Sequence, residues 1–580
     1  MAAPGFAGQC CREIEHWRVS SLYRLIRKSP VDLRKPSYYL MLPTRTLLAS
    51  TATLPRREVS EADLLPSRIR VVRRHPGVRW GAALAALTLA VLLVHGFHPL
   101  AEDGGLYVAG VEWRLNPALF PRFTEFVSEH VSFSVFAPVL SAVTRAAHLP
   151  LLLVLFLVEL SSITLTLAAG WALLRRVTRN ERAQLAGVGL LAALWTVPVA
   201  GTSLLLMDPC VTARSFSTPL SLWALAFALD DWKDNRWSFL SCALLVGLAA
   251  AFHPLMAGYA LGLILTVRAL RHPRRTLLLG AAGLLTFAAA AFLQACAAAD
   301  SGPVVLAAQS RYYWFLSQWH WYELFGLAGP LLVLLALYYL NRHGLGSSGM
   351  ALASATILYG CFAVALTAAF AHESYAVHVI ARLQPLRAFL MIYAVMLLLL
   401  GASLQQAFQR LVSPGRRFLR FAVVPILAAG ALGMFVAERS QFPASPHIEL
   451  PWRLQQSPNP WVRAFLWCRN NTPQNALFAL DANYITAPGE DAQTFRAIAH
   501  RGALPDFSKD GGEAAITPRL ANEWAAGFAA QLNLDQQTTS QLRRHLTPYG
   551  VDWVILRSDS PAPLSCPYDN QLLKVCKLRP

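Results

Sequence analysis

What this sequence of 580 residues lacks narrows its function as much as what it holds. No stretch alternates apolar and polar residues in the manner of a transmembrane barrel strand, which argues against a closed β-barrel. The nine cysteines show no metal-ligand spacing, so no zinc site is visible. Cys10 and Cys11 adjoin near the N-terminus, and Cys242 and Cys361 fall inside apolar segments. Cys566 and Cys576 are free to pair if their region faces an oxidising compartment, with Cys468 left over. The polar C-terminal region has neither a Gly-rich phosphate loop nor a nucleophile elbow. An internal repeat, which would favour a transporter, is missing as well.

Apolar surface is abundant instead. Hydrophobic residues make up 55% of the chain, more than one soluble domain can hide. They recur in runs of roughly 17 to 25 residues, long enough to cross a hydrocarbon core as helices. The expected fold is an α-helical polytopic membrane protein of about eleven spans, at 80–97, 150–174, 183–206, 216–230, 237–252, 255–269, 275–296, 324–341, 350–371, 387–408 and 419–437. The pair flanking Phe252-His253-Pro254 is also open to reading as one kinked span plus a re-entrant piece.

The net charge of +18 does not point to nucleic acid, because the arginines sit in an N-terminal tail and in short loops. Arg175, Arg176, Arg179 and Arg182 share one loop; Lys233 and Arg236 follow, then Arg268, Arg271, Arg274 and Arg275, and finally Arg410, Arg416, Arg417 and Arg420. With eleven spans all four groups fall on the inner face. Residues 1–78 then form a basic cytoplasmic tail without the pattern of a cleavable signal, 79–437 the membrane domain, and 438–580 an extramembrane domain. In a bacterial inner membrane that last domain is periplasmic.

Three outer segments are long. The first, 98–149, opens with His98-Pro99-Leu100-Ala101-Glu102-Asp103-Gly104-Gly105-Leu106-Tyr107 and continues with amphipathic material suited to interfacial helices. The second, 297–323, is rich in Tyr and Trp from Arg311 to Tyr322, residues that favour the headgroup layer. The third, 438–580, predicts a small α/β domain: a helix at 460–471, a strand at 476–480, helices near 490–500, 514–532 and 539–546, and strands at 551–556 and 572–578.

Carboxylates at the outer end of a membrane helix are unusual, since such positions are normally left to basic and aromatic anchors. Asp103 is therefore the first candidate for chemistry, as a general base on an acceptor hydroxyl or as a group holding a divalent cation. The same position also suits a plain helix N-cap. Glu102 would support it electrostatically. Arg214, Arg311, Arg382 and Arg387 lie on the outer side, where cations could neutralise a phosphate leaving group or merely anchor their segments. Asp208 is placed to orient Arg214. His253 interrupts an apolar stretch beside Pro254, a break that lines a cavity or is a satisfied kink. His378 forms an outer cluster with His372 and Glu373 whose spacing is not that of a helical zinc motif.

The acidic pair, the tyrosine at 107 and their setting resemble the first outer loop of GT-C-type, polyprenyl-phosphate-sugar-dependent glycosyltransferases. The order of many spans, interfacial helices and an outer C-terminal domain is similar too, and the likeness covers most of the chain from residue 80. Residues 461–473, 476–478 and 549–554 also look like the outer domains of bacterial members. The resemblance implies an inverting sugar transfer at the outer face, with the acidic pair Asp103 and Glu102 catalytic; for such a donor Arg214, Arg311, Arg382 and Arg387 are the phosphate-binding candidates by charge and position, and Tyr107, Asp208, His253 and His378 the candidates to line the cavity. It implies a polyprenyl-phosphate sugar and an unassigned acceptor as partners, with Mg²⁺ or Mn²⁺ as a candidate cofactor. The alternatives are a transporter or lipid-handling protein, and a catalytically silent relative.

Overall fold

The computed structural model describes residues 76–271, 273–411, 422–487 and 489–579. The expected tail up to residue 75, with Cys10 and Cys11, lies outside the described residues, as do Arg416, Arg417 and Arg420.

Each of the eleven apolar segments forms a helix. Among the described residues six helices are long and apolar enough to cross a membrane: Leu151–Val177, Arg275–Cys296, Trp321–Leu340, Arg342–Phe370, Val379–Leu411 and Val423–Gln441. The other five are shorter, at Arg79–His95, Glu181–Ala193, Arg214–Ala228, Arg236–Phe252 and Pro254–Leu270. The chain is thus a multi-pass membrane protein. A helix of 13 residues such as Glu181–Ala193 rises only about 20 Å. It ends well before residue 206 because the chain turns back on itself: Val199 N–H donates to Leu204 O (2.8 Å) and Leu206 N–H to Val197 O (2.9 Å). Pro198, which has no N–H to continue a helix, stands opposite Leu205 in this small hairpin.

The centre of the bundle is Phe389–Leu411, almost wholly buried. It lies directly on Glu181–Ala193, and Gly401 makes that approach possible: a Cβ there would meet Ala186 O at 2.6 Å. Small residues replace the hydrophobic effect as the means of close helix contact in lipid. At one end of the bundle the arginine loops gather. Arg176 forms a forked pair with Asp230 (2.7 and 2.9 Å), Arg268 donates to Asp230 O (2.7 Å), and Arg271 reaches Ser348 (2.9 Å).

At the other end the segment 98–149 forms three helices, Glu102–Leu115, Glu125–Ser132 and Phe136–Ala147. The last two meet at 96°. Above them sits a five-stranded sheet of order β2-β1-β3-β5-β4, with β1 Leu477–Ala479, β2 Gly502–Ala503, β3 Trp553–Arg557, β4 Tyr568–Asp569 and β5 Leu573–Lys577. β1 runs parallel to β2 and β3, and β5 antiparallel to β3 and β4. Pro460–Asn471 and Thr539–Leu546 form as expected. The helix expected near 490–500 shrinks to Phe495–Ala499, and that expected at 514–532 divides into Lys509–Ile516 and Ala521–Ala530 around Pro518. Cys566 and Cys576 form a disulfide, and Cys468 is buried and free.

A buried charge network ties the segment after the first helix, the helix Val423–Gln441 and the C-terminal sheet domain together. His98 is fully buried. Its Nε2 meets Glu438 Oε1 at 2.7 Å and its Nδ1 meets Glu449 Oε1 at 2.9 Å. Glu438 also holds His447 (2.6 Å) and lies 3.7 Å from Arg439, while Gln493 donates to Glu449 (2.7 Å). Burial would strip the proton from such an imidazole, but the two carboxylates outweigh it and push its pKa up to about 9. The neighbouring Phe97 pairs through its backbone with His447 and Glu449. The chain therefore reaches the acidic pair, four residues on, from a fixed point.

Candidate functional site

Glu102 and Asp103 open the helix Glu102–Leu115 in its first turn, where the positive end of the helix dipole favours carboxylates. Asp103 is not the cap. Ala101 occupies that position, with no side-chain cap bond. Glu102 takes a left-handed φ of 49°, a conformation a side chain of its kind enters only when the surroundings impose it. Those surroundings are tight: a Cβ on Gly104 would lie 2.7 Å from Pro99 O and 2.8 Å from Cys210 Cβ. A Cβ on Gly105 would run into Thr494 of the C-terminal domain, whose N–H also donates to Leu100 O (3.1 Å).

What the carboxylates do instead of capping is hold Lys509. Its Nζ donates to Glu102 Oε2 and to Asp103 Oδ1, both at 2.8 Å. Burial alone would weaken the ammonium's hold on its proton, but Asp103 and Glu102 reverse that and raise it. In return Lys509 holds the Asp103 carboxyl far below the usual carboxylate range, against the opposing effect of burial and with help from Arg214 and Arg387. Asp103 is nonetheless half exposed, at 51% of its side chain, while Lys509 is only 12% exposed. The carboxylate faces open space from which the ammonium is shielded.

Arg214 and Arg387 are the two expected arginines brought into this field. Arg214 begins its helix and is oriented by Asp208, Nη2 to Oδ1 at 2.6 Å, with Nη1 donating to Leu205 O (3.1 Å). Arg387 has no carboxylate partner among the described residues; its Nε is buried without a hydrogen bond, and the guanidinium lies 5.9 Å from the Tyr313 ring. Tyr107 feels Asp103, Arg214, Arg387 and Asp208 together, and burial first and Asp103 next raise the pKa of its hydroxyl. His253 accepts from Met256 N–H (3.5 Å) at the head of Pro254–Leu270, within electrostatic reach of Arg387 and Arg214.

Three expected residues are drawn elsewhere. Arg311 donates to Ser508 O (2.6 Å), Phe507 O (2.7 Å) and Ser310 Oγ (3.1 Å), so its guanidinium is spent on the loop that carries Lys509. Arg382 pairs with Asp300 (2.7 Å) and donates to Ala515 O (3.2 Å). His378 is fully buried, its Nδ1 on the same Asp300 (3.0 Å) and its Nε2 facing Glu373 O (3.4 Å), so it lines no open cavity. These three are satisfied by partners that spacing along the chain does not reveal. Spacing does not reveal Lys509 either, although lysine is scarce: Lys28, Lys35, Lys233, Lys509, Lys574 and Lys577 stand within a total of 51 Lys and Arg. A lone lysine among arginines was the available signal.

An aromatic ladder leads away from the acidic helix. Tyr107 meets Phe136 at 4.8 Å, Phe136 meets Phe216 at 5.9 Å, and Phe216 stacks on Phe252 at 4.3 Å. Phe216 and Phe252 in turn line a cavity of about 800 Å³ between Leu151–Val177, Arg214–Ala228 and Arg236–Phe252, with Leu165, Trp223, Leu244 and Leu248 among its apolar walls. For a metal ion the fit is poor: the described residues contain no group of three His, Cys, Asp or Glu side chains able to hold one, and the Lys509 ammonium already occupies the space between the two carboxylates.

No family model matches this chain, and no curated protein matches it in sequence. Among solved structures it is similar to the apo oligosaccharyltransferase of Archaeoglobus fulgidus, at 13% identity over 82% of this chain and 69% of the other, with a TM-score of 0.44. It is also similar to the arabinofuranosyltransferase AftD from Mycobacteria, at 14% identity over 83% of this chain and 35% of the other, with a TM-score of 0.41. Likeness at these scores decides nothing about the chemistry of the site, which rests on the residues themselves.

Proposed function

We propose that the chain is a membrane glycosyltransferase of the GT-C kind, moving a sugar from a polyprenyl-phosphate donor to an acceptor hydroxyl at the outer membrane face. The observation that carries this reading is a half-exposed carboxylate, Asp103, within electrostatic reach of an arginine without a carboxylate partner among the described residues, Arg387, at one end of an aromatic ladder that runs to an apolar groove. In the proposed step the acceptor oxygen forms a bond to the anomeric carbon as the bond from that carbon to the phosphate oxygen breaks. Asp103 takes the hydroxyl proton, and polyprenyl phosphate departs with the electron pair. Arg387, together with Arg214, neutralises the charge that grows on the leaving phosphate.

The groove suits a prenyl chain for a reason of shape. A lipid tail moving from bilayer to groove gains no hydrophobic free energy, since lipid is already apolar. Affinity must therefore come from the phosphate, and the groove only aligns the donor. Asp208 keeps Arg214 extended. His253 and Tyr107 border the sugar, and the C-terminal domain, placed on the periplasmic side, covers the acceptor. No step is assigned to a divalent cation.

The test is transfer of labelled sugar from polyprenyl-phosphate donors by the full chain in nanodiscs. Asp103→Asn should lower transfer by about 10²- to 10⁴-fold, the usual worth of a positioned base, with folding unchanged. Full activity of that variant removes the assignment. Donor binding by the wild type without any transfer would favour the lipid-handling alternative.

A further inference from the structure

Lys509 belongs to the C-terminal domain, and several contacts independent of it already hold that domain onto the first outer segment. His500 meets Glu112 (2.9 Å), His130 meets Glu513 (3.1 Å), Arg122 donates to Gly550 O (2.8 Å), and Arg519 pairs with Glu129. The domain does not need Lys509 in order to dock. Yet the lysine is presented with unusual care. Arg311 grips the carbonyls of Phe507 and Ser508 immediately before it. Asp506 Oδ1 accepts its backbone N–H (2.6 Å), and the following Asp510 is bound by Arg496 (2.7 Å) and by Asp506 N–H (2.9 Å).

The ammonium uses two of its three donors on the acidic pair and touches Asp103 only through Oδ1. Asp103 Oδ2 accepts no hydrogen bond among the described residues and belongs to a side chain that is half exposed. A plug would cover both oxygens; this contact fixes one and leaves the other open.

We propose that Lys509 is a positioning residue of the active site, contributed by the C-terminal domain, which fixes Asp103 through Oδ1 and turns Oδ2 toward the acceptor hydroxyl. The proposal rests on Asp103 being the base in the reading above. It makes the outer domain part of the catalytic machinery through one cation, and it explains the grip of Arg311 on the loop that carries Lys509.

The experiment compares wild type, Lys509→Met, Lys509→Arg and Asp103→Asn, each as the full chain in nanodiscs, in steady-state transfer across pH. Lys509→Met should lower kcat by about 10- to 100-fold, the usual cost of a misplaced reacting group, while the KM for donor changes less than twofold. Freed of the ammonium, Asp103 should return toward an ordinary carboxylate, so that an acid limb emerges near about pH 4; Lys509→Arg should restore most of kcat and the wild-type profile. A loss of kcat with no movement of the acid limb would reduce Lys509 to a tether and overturn the proposal. Unchanged kcat in Lys509→Met beside an inactive Asp103→Asn would overturn it alone, whereas an active Asp103→Asn would remove the catalytic reading itself.

Discussion

Substituting His98 by Gln tests the network that fixes the approach to the acidic pair. In the folded chain the imidazole is buried between Glu438 and Glu449, and its pKa stands at about 9 against an ordinary 6.5. A shift of that size corresponds to about 3 kcal/mol of folding free energy. The sign follows from the direction of the shift. The folded state holds this proton more tightly than the unfolded state, so the contribution is complete below about pH 6.5 and is lost as pH rises through 9. The other ionisable groups facing the site are His447, Arg439, Asp491 and the nearby His95. Asp491, pushed up to about 6 chiefly by burial, titrates below this window. The assay is the apparent unfolding temperature in nanodiscs of one lipid composition, at pH 6, 7.5 and 9.5. Wild type should fall by several degrees across the series. His98→Gln should start lower by the equivalent of about 3 kcal/mol, since it leaves two buried carboxylates short of a cation, and should fall much less. Parallel curves for the two proteins would refute the assignment of that pH dependence to His98.

Arg387→Gln should raise the KM for the polyprenyl-phosphate donor by about 10-fold or more, the worth of a charge-assisted bond, with the acceptor KM nearly unchanged. Equal losses for both substrates would argue against a phosphate role. Arg382→Gln should leave the donor KM alone and lower thermal stability, because its partners are Asp300 and Ala515. Gly105→Val should cost about 1–3 kcal/mol by overpacking against Thr494 and speed protease cleavage of the C-terminal domain, which limited proteolysis would read directly.

The sequence by itself determined whatever depends on neighbours along the chain. Apolar runs of membrane-crossing length specify helices, because lipid leaves the backbone no other partner for its hydrogen bonds, and each expected run became one. Three of the five C-terminal strands and the acidic pair were legible for the same local reason, as was the possibility of pairing Cys566 with Cys576, whereas the two-residue strands Gly502–Ala503 and Tyr568–Asp569 were too short to leave a pattern. Where the helices break was less legible: Glu181–Ala193 stops at a hairpin and the 514–532 stretch divides around Pro518, since the ends of an element depend on what it meets.

Only the tertiary structure decided which charges meet. Lys509 lies 406 positions from Asp103, and nothing in its local sequence marks it as the partner of a carboxylate pair. His98 meets Glu438 and Glu449 across 340 and 351 positions. Of four arginines with similar settings in the sequence, two share the field of Asp103 and two are committed to partners on other segments. A charge shielded from water must find its counter-charge wherever the fold brings one, and that pairing follows from packing in three dimensions, not from spacing along the chain.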